Sequence, residues 1–375
     1  MEENTVKTAQ QQFEERVKRV EDAIALKEPD RIPIAPFFDG VMLRLYGASY
    51  RDIFYDFRKA GEAVLRFYRD YPLCDAQCFI GFTSGAANEL AGTTMIDWPG
   101  RPGTIVSDFS THQVIEYEYL LPEEYHELLD DFTGFMIRKY IPRAFRNLKG
   151  YSSLAFNPAL MLNATALSPL YSPEVLEMNK IIAEIAAKNA EAAAVTGEYY
   201  GRLADMGFPP FFTAISLAPY DILGDNFRGT IGIMEDLIEY EDEIEKVCDM
   251  FADQQIEFLR YTASAPTPIK RVFFPLHKGM DGFMSPKQYE KLYWKPLRKI
   301  VMALIDMGVT PFIYTEGKYD TRLECLTDVP KGKVIYHFED VDMRKAKKTF
   351  EGIACISGNL PATLLEFGKK EDVVD

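Results

Sequence analysis

Cysteine is scarce, and what there is lacks a pattern. Cys74, Cys78, Cys248, Cys325 and Cys355 are the only five in 375 residues. That excludes a disulfide-stapled scaffold and points to a reducing compartment with individually placed thiols. The Cys74-x3-Cys78 spacing has no second pair nearby and reads as core. Basic charge is also in deficit, with 42 Lys and Arg against 57 Asp and Glu for a net charge of −15. Attraction to nucleic acid or anionic membranes is therefore disfavoured, and a small substrate or a protein partner is expected. No run of about 18 apolar residues occurs, and the polar N-terminus has no signal-peptide core, so a cytoplasmic protein without a membrane span is expected. A P-loop, a G-x-G-x-x-G with its acid, H-E-x-x-H and G-x-S-x-G are all missing, which removes the usual signatures of nucleotide chemistry and serine hydrolysis.

What is present is a rhythm, clearest in the C-terminal half. The run "KRVFFPLHKG" (270–279) precedes "SPKQYEKLYWKPLRKIVMALIDMG" (285–308), where Ser285, Pro286 and Gln288 form a helix start and Gly308 a stop. "TPFIYTEG", "KVIYHFED" and "IACISGN" repeat the unit, each leading into a helical stretch. Short apolar strands alternating with amphipathic helices imply parallel strands joined by crossovers. Seven strands are predicted, at 32–37, 75–80, 211–217, 271–276, 310–314, 333–338 and 353–357. The expected architecture is α/β, a (β/α)8 TIM barrel forming one domain over residues 1–375. It carries an N-terminal helical extension (1–30) and an inserted β-hairpin followed by a helix (101–131). The eighth strand is expected either beyond Asp375 or from a segment near 32–37 or 151–165.

In such a barrel, functional groups gather at the C-terminal ends of the strands. The polar residues that end these apolar runs are Asp221, His277, Glu316, His337 with Glu339, and Cys355 with Asn359. Glu316 is the sharpest of them, because a carboxylate that ends a buried strand needs a partner or a task.

With those residues in view, the chain resembles the uroporphyrinogen decarboxylase superfamily. The likeness is carried by "EPDRIPI" (28–34), "APYDILGDNFRGTIGIMEDL" (218–237), "HKGMDGFMSPKQYEKLYWKPLRKIVMALIDMGVTPFI" (277–313) and "GNLPATLLEFG" (358–368). It implies a barrel with a deep cleft at the strand C-termini. True decarboxylases of the family carry an arginine-rich stretch after the first strand that holds their polycarboxylate substrate. Here that place reads "APFFDGVMLRLYG", with Arg44 alone.

The corrinoid-dependent methyltransferase branch is the better likeness. Its coenzyme M enzymes build a zinc site from His-x-Cys plus a distant cysteine; here Tyr314-Thr315-Glu316 stands in that place, a harder set suited to an ether oxygen. The resemblance thus implies transfer of a methyl group from an O-methylated, methoxy-aromatic substrate to the cob(I)alamin of a separate corrinoid protein. A cobalamin-binding Asp-x-His-x-x-Gly motif is missing from the chain, so the corrinoid is expected on a partner. Glu316, His277 and Asp281 are the expected catalytic residues, with Asp281 beside His277, and Asp221 and Tyr314 are expected to line the substrate pocket. Zinc or another divalent metal is expected on Glu316, His337 and Cys355. Alternatives are methyl transfer to a thiol of the coenzyme M type, uroporphyrinogen decarboxylation, or a silent barrel that only binds a corrinoid protein.

Overall fold

The computed structural model describes residues 7–37, 39–360 and 362–374, so the first six residues of the expected N-terminal extension lie outside it. The chain divides into two compact units. One comprises residues 1–13 and 35–209, the other residues 14–34 and 210–375.

The first unit is mainly helical. The helix Phe57–Asp70 buries Ala60, Val64, Phe67 and Tyr68, and Tyr199 and Leu203 of the long helix Pro173–Asp205 join the same core. The expected hairpin exists in reduced form. Strands β1 (Ile96–Asp97) and β2 (Gln113–Val114) pair antiparallel, with Ile96 opposite Val114, so the first arm lies just ahead of residue 101. The helix Tyr125–Asp130 follows, as anticipated.

Two segments predicted as strands do not form them. Residues 32–37 contain Pro33 and Pro36, which cannot donate to a ladder, and they run as irregular chain. Across 75–80 the amides turn to other partners: Gln77 to the Pro209 carbonyl, Cys78 to the Tyr68 hydroxyl, and Phe79 to the Gln77 side chain. The 151–165 segment is built of short 3-10 turns, including Arg146–Ser153 and Pro158–Leu160, and is not a strand.

The second unit holds a parallel sheet in the order β3-β4-β5-β6-β7. These strands are β3 (Ala214–Ile215), β4 (Arg271–Leu276), β5 (Thr310–Lys318), β6 (Ile335–Asp340) and β7 (Cys355–Gly358). All fall where the apolar runs predicted. Val272, Phe274, Leu276, Ile313, Tyr336 and Phe338 are fully or almost fully buried, as expected of parallel strands covered on both faces. The helix Lys295–Asp306 returns the chain from β4 to β5 and buries Leu297, Ile300, Val301 and Leu304 at helical spacing. At the other end of β4, buried Arg271 pairs with Glu21 of the N-terminal helix at 2.5 Å and donates to the Phe211 carbonyl at 2.8 Å. The N-terminal segment is thereby tied into this unit.

The register fixes what the site can contain. Leu276 pairs with Thr315, Thr315 with Phe338, and Phe338 with Gly358. The next residues along the chain are therefore His277, Glu316, Glu339 and Asn359, one polar residue from each of four neighbouring strands.

Candidate active site

The anchor of the site is Asp221, which is fully buried. It ends the short helix Pro219–Asp221, and a π-helical run, Ile222–Arg228, continues from it. One carboxylate oxygen accepts from the His277 amide at 3.0 Å and the Tyr293 phenol at 2.6 Å; the other accepts from the Lys278 amide at 2.9 Å. Burial, followed by the neighbouring Asp225 charge, pushes its pKa up to about 6. Both oxygens are spent on holding the turn after β4, so Asp221 positions that turn and does not line a substrate pocket.

Asp225 sits four residues on. Its Oδ2 lies 2.5 Å from His277 Nδ1 and its Oδ1 2.5 Å from Lys278 Nζ. Gly224 makes this clamp possible, because a Cβ there would come 2.6 Å from the Lys278 side chain. Burial disfavours the Asp225 charge, but the His277 hydrogen bond and the Lys278 ammonium outweigh it and leave the pKa lowered. For His277, burial opposes the charged form, while the Asp225 bond and the charges of Asp221, Asp225 and Glu316 win and raise the pKa to about 9. The imidazolium is thus the stable form at neutral pH.

Its other nitrogen, Nε2, lies 3.8 Å from Glu316 Oε1. Glu316 is nearly half exposed and His277 one-third, which makes them the open members of the cluster. Burial, then Glu339, raises the Glu316 pKa despite His277. Glu339 is occupied by the Gly317 amide, which donates to it at 2.6 Å. Gly317 has φ +77°, and a Cβ there would sit 3.1 Å from Met280. Glycine therefore lets β5 bulge while still presenting Glu316.

One residue back, the Tyr314 ring stacks on His337 with centroids 4.7 Å apart. Burial, then Glu339 and Glu316, pushes the phenol up to about 12, so Tyr314 stays neutral. His337 shares a hydrogen bond with Ser357 at 3.1 Å, and burial pushes its pKa down to about 4.

Asp281, expected beside His277, faces elsewhere. It accepts from the Thr321 amide at 3.1 Å and the Thr321 hydroxyl at 2.6 Å, bracing the loop after β5. Asp225 holds His277 instead. The expected metal trio is not assembled either. Tyr314 pairs with His337 and Ile335 with Cys355, so Glu316 lies two residues beyond the level of His337 and Cys355 two residues before it. At about 3.3 Å per residue, some 13 Å of strand separates Glu316 from Cys355, whereas zinc's ligands lie about 2.0–2.3 Å from the ion. Among the described residues, groups of three His, Cys, Asp or Glu that would hold a metal ion do not occur. Glu316, His337 and Cys355 therefore do not fit one metal.

Asp225, Lys278 and Tyr293 were not foreseen. The available signal was Asp221-x3-Asp225, which places two carboxylates one helical turn apart.

The cluster lies at the C-terminal ends of parallel strands, the place where (β/α)8 barrels carry their active sites. Residues 195–375 match the family described as Uroporphyrinogen decarboxylase (URO-D), whose fold is a TIM barrel. The structure is similar to that of a methyltransferase from Methanosarcina mazei, with a TM-score of 0.54 and 14% identity over 96% of this chain and 85% of that one. At that identity the likeness concerns the fold. No curated protein matches the sequence. Among the described residues, no helix is long and apolar enough to cross a membrane.

Proposed function

We propose that this chain is a methyltransferase of the uroporphyrinogen decarboxylase superfamily, moving a methyl group from an O-methylated, methoxy-aromatic substrate to the cob(I)alamin of a separate corrinoid protein. The observation that carries the reading is the placement of the His277 imidazole, clamped at Nδ1 by Asp225 and open at Nε2 beside Glu316. An aryl methyl ether breaks poorly at neutral pH because its C–O electron pair must leave on a phenolate. His277 Nε2 gives its proton to that oxygen as the bond breaks, so the product leaves as a neutral phenol. Cob(I)alamin, treated as the second substrate, supplies the electron pair that takes the methyl. Glu316 then returns a proton from solvent to Nε2, and the stacked Tyr314–His337 pair offers a flat, uncharged wall near the reacting end.

The superfamily match and the fold shared with a protein named methyltransferase support this branch. The acidic residues do so as well. Glu316 and Glu339 oppose a polycarboxylate tetrapyrrole, which needs guanidinium groups that this cluster lacks.

The test is incubation of the purified chain with cob(I)alamin and a panel of methoxy-aromatics, following methylcobalamin absorbance and phenol release. Turnover is expected with the natural sequence, and His277→Gln is expected to lower it about 100-fold or more. A silent barrel would bind a corrinoid protein without turnover, and coproporphyrinogen formed from uroporphyrinogen would move the chain to the decarboxylase branch.

A further inference from the structure

Asp225 can serve His277 only if the run that carries it is held in place, and that run is fastened at both ends. Its seven residues, Ile222–Arg228, are wound as a π-helix, a form that occurs mostly as single turns and frequently at functional sites. Before its start stands Asp221, which accepts from the backbone amides of His277 and Lys278 after β4. At its end stands Arg228. There Gly229, at φ +71°, turns the chain into the helix Gly229–Glu239.

The far end is fastened by a charge pair that sits well inside the protein. Arg228 is 1% exposed and Asp236 2%. The guanidinium grips the carboxylate as a fork, with Nε 2.5 Å from Oδ2 and Nη2 3.1 Å from Oδ1. Asp236 lies on the buried face of its helix with Gly232, Ile233 and Leu237, at a spacing where the helical pattern calls for an aliphatic residue. Stability does not account for the exception. Two charges taken out of water lose in hydration about what they regain from each other, and apolar side chains of similar volume in their place are often equally stable or better. Apolar contact is in any case at hand, since Phe227 packs on Phe251 with ring centroids 5.4 Å apart. What the fork adds is direction. Burial of apolar surface is non-directional, whereas a planar guanidinium accepts a carboxylate in a fixed geometry.

We propose that the Arg228–Asp236 pair is a positioning device: by locking the end of the π-helical run onto the next helix, it sets where Asp225 meets His277. Arg228 follows Asp225 by three residues, so a shift at the end of the run is passed along its backbone to that carboxylate. The contacts it must keep are narrow. Asp225 reaches His277 Nδ1 with one oxygen and Lys278 Nζ with the other, each at 2.5 Å. The consequence for turnover rests on the reaction proposed above, whereas the consequence for His277 can be read without substrate.

The double variant Arg228→Met, Asp236→Leu tests it, because both charges leave together and neither stays buried alone. It should keep the far-UV circular dichroism of the natural chain and about its melting temperature. With a methoxy-aromatic and cob(I)alamin, kcat should fall about tenfold or more while KM changes less than about twofold, since a misplacement on the order of 1 Å suffices for such a loss. In an NMR titration the His277 imidazole should release its proton about one pH unit lower or more, having lost part of its carboxylate partner. Arg228→Lys keeps the charge without the fork and should fall between the natural chain and the double variant in both readouts. If the double variant does not fold, Arg228→Lys carries the test. A folded variant whose His277 titrates as in the natural chain overturns the inference, whatever its turnover. Absence of methyl transfer by the natural chain would count against the proposed reaction instead, and the titration would still decide the role of the pair.

Discussion

Replacing Asp225 by Asn keeps the shape of the clamp and removes its charge. In the native protein Asp225 meets both the His277 ring and the Lys278 ammonium at 2.5 Å. The rise of the His277 pKa from 6.5 to about 9 is due first to this partner, acting against burial. A rise of that size corresponds to about 3 kcal/mol, and solvent screening at a ring one-third exposed lowers the useful part to about half of that. With the carboxylate gone, burial and the weaker influence of Asp221 and Glu316 remain, and the pKa should fall by about two pH units, to 7 or below. At pH 7.5 the ring then changes from about 97% to about 25% protonated. The sign for stability follows from the raised pKa. The contribution is fully present below pH 6.5 and is lost as pH rises through 9, so the native protein weakens across that window and Asp225→Asn does not. The chain contains four histidines, so the imidazole Cε1–H resonances can be titrated directly by NMR and that of His277 assigned with His277→Gln. A His277 in Asp225→Asn that still titrates near 9 would refute the reasoning, because the imidazolium would then owe its proton to something other than the clamp.

Asp221 is the second test. Its folded pKa of about 6 exceeds the ordinary 3.8, so its contribution is present below pH 3.8 and is lost as pH rises through 6. Urea denaturation of Asp221→Asn should lack that decline between pH 4 and 6, at the cost of one acceptor to the His277–Lys278 turn, about 1–2 kcal/mol. Gly317→Ala should cost about 1–2 kcal/mol through its positive φ and should also lower turnover, since the bulge that presents Glu316 must shift against Met280. Equal melting temperatures and rates for Gly317→Ala and the natural chain would show that the bulge is not required.

The central C-terminal strands β4, β5 and β6 were legible because they are mostly buried on both faces, and such strands read as uninterrupted apolar runs. Arg271–Leu276 fell on the predicted residues, and the helix start after it carries the Ser285–Gln288 capping box that the sequence spelled out. The N-terminal runs failed for a different reason. "RIPIAPFF" has the apolar look of a strand, but two prolines remove donors, and "DAQCFI" spends its amides on side chains and a lone carbonyl. Hydrophobic pattern records burial; it does not record whether a ladder partner exists.

The site divides along the same line. A polar residue closing an apolar strand is a local signal, and it located His277 and Glu316 together with the Tyr314–His337 level beneath them. Choosing partners is a long-range matter. Asp281 lies four residues from His277 in the chain, but the turn after β4 carries it to Thr321, while Asp225, 52 residues away, arrives on a π-helical run that no apolar periodicity announces. The metal trio failed through register alone. Tyr314 opposite His337 and Ile335 opposite Cys355 set Glu316 and Cys355 four residues apart along the strands, a separation that each strand read singly does not reveal. The same register puts His277 and Glu316 at one level on adjacent strands. That is why an imidazole and a carboxylate stand side by side at the end of the sheet.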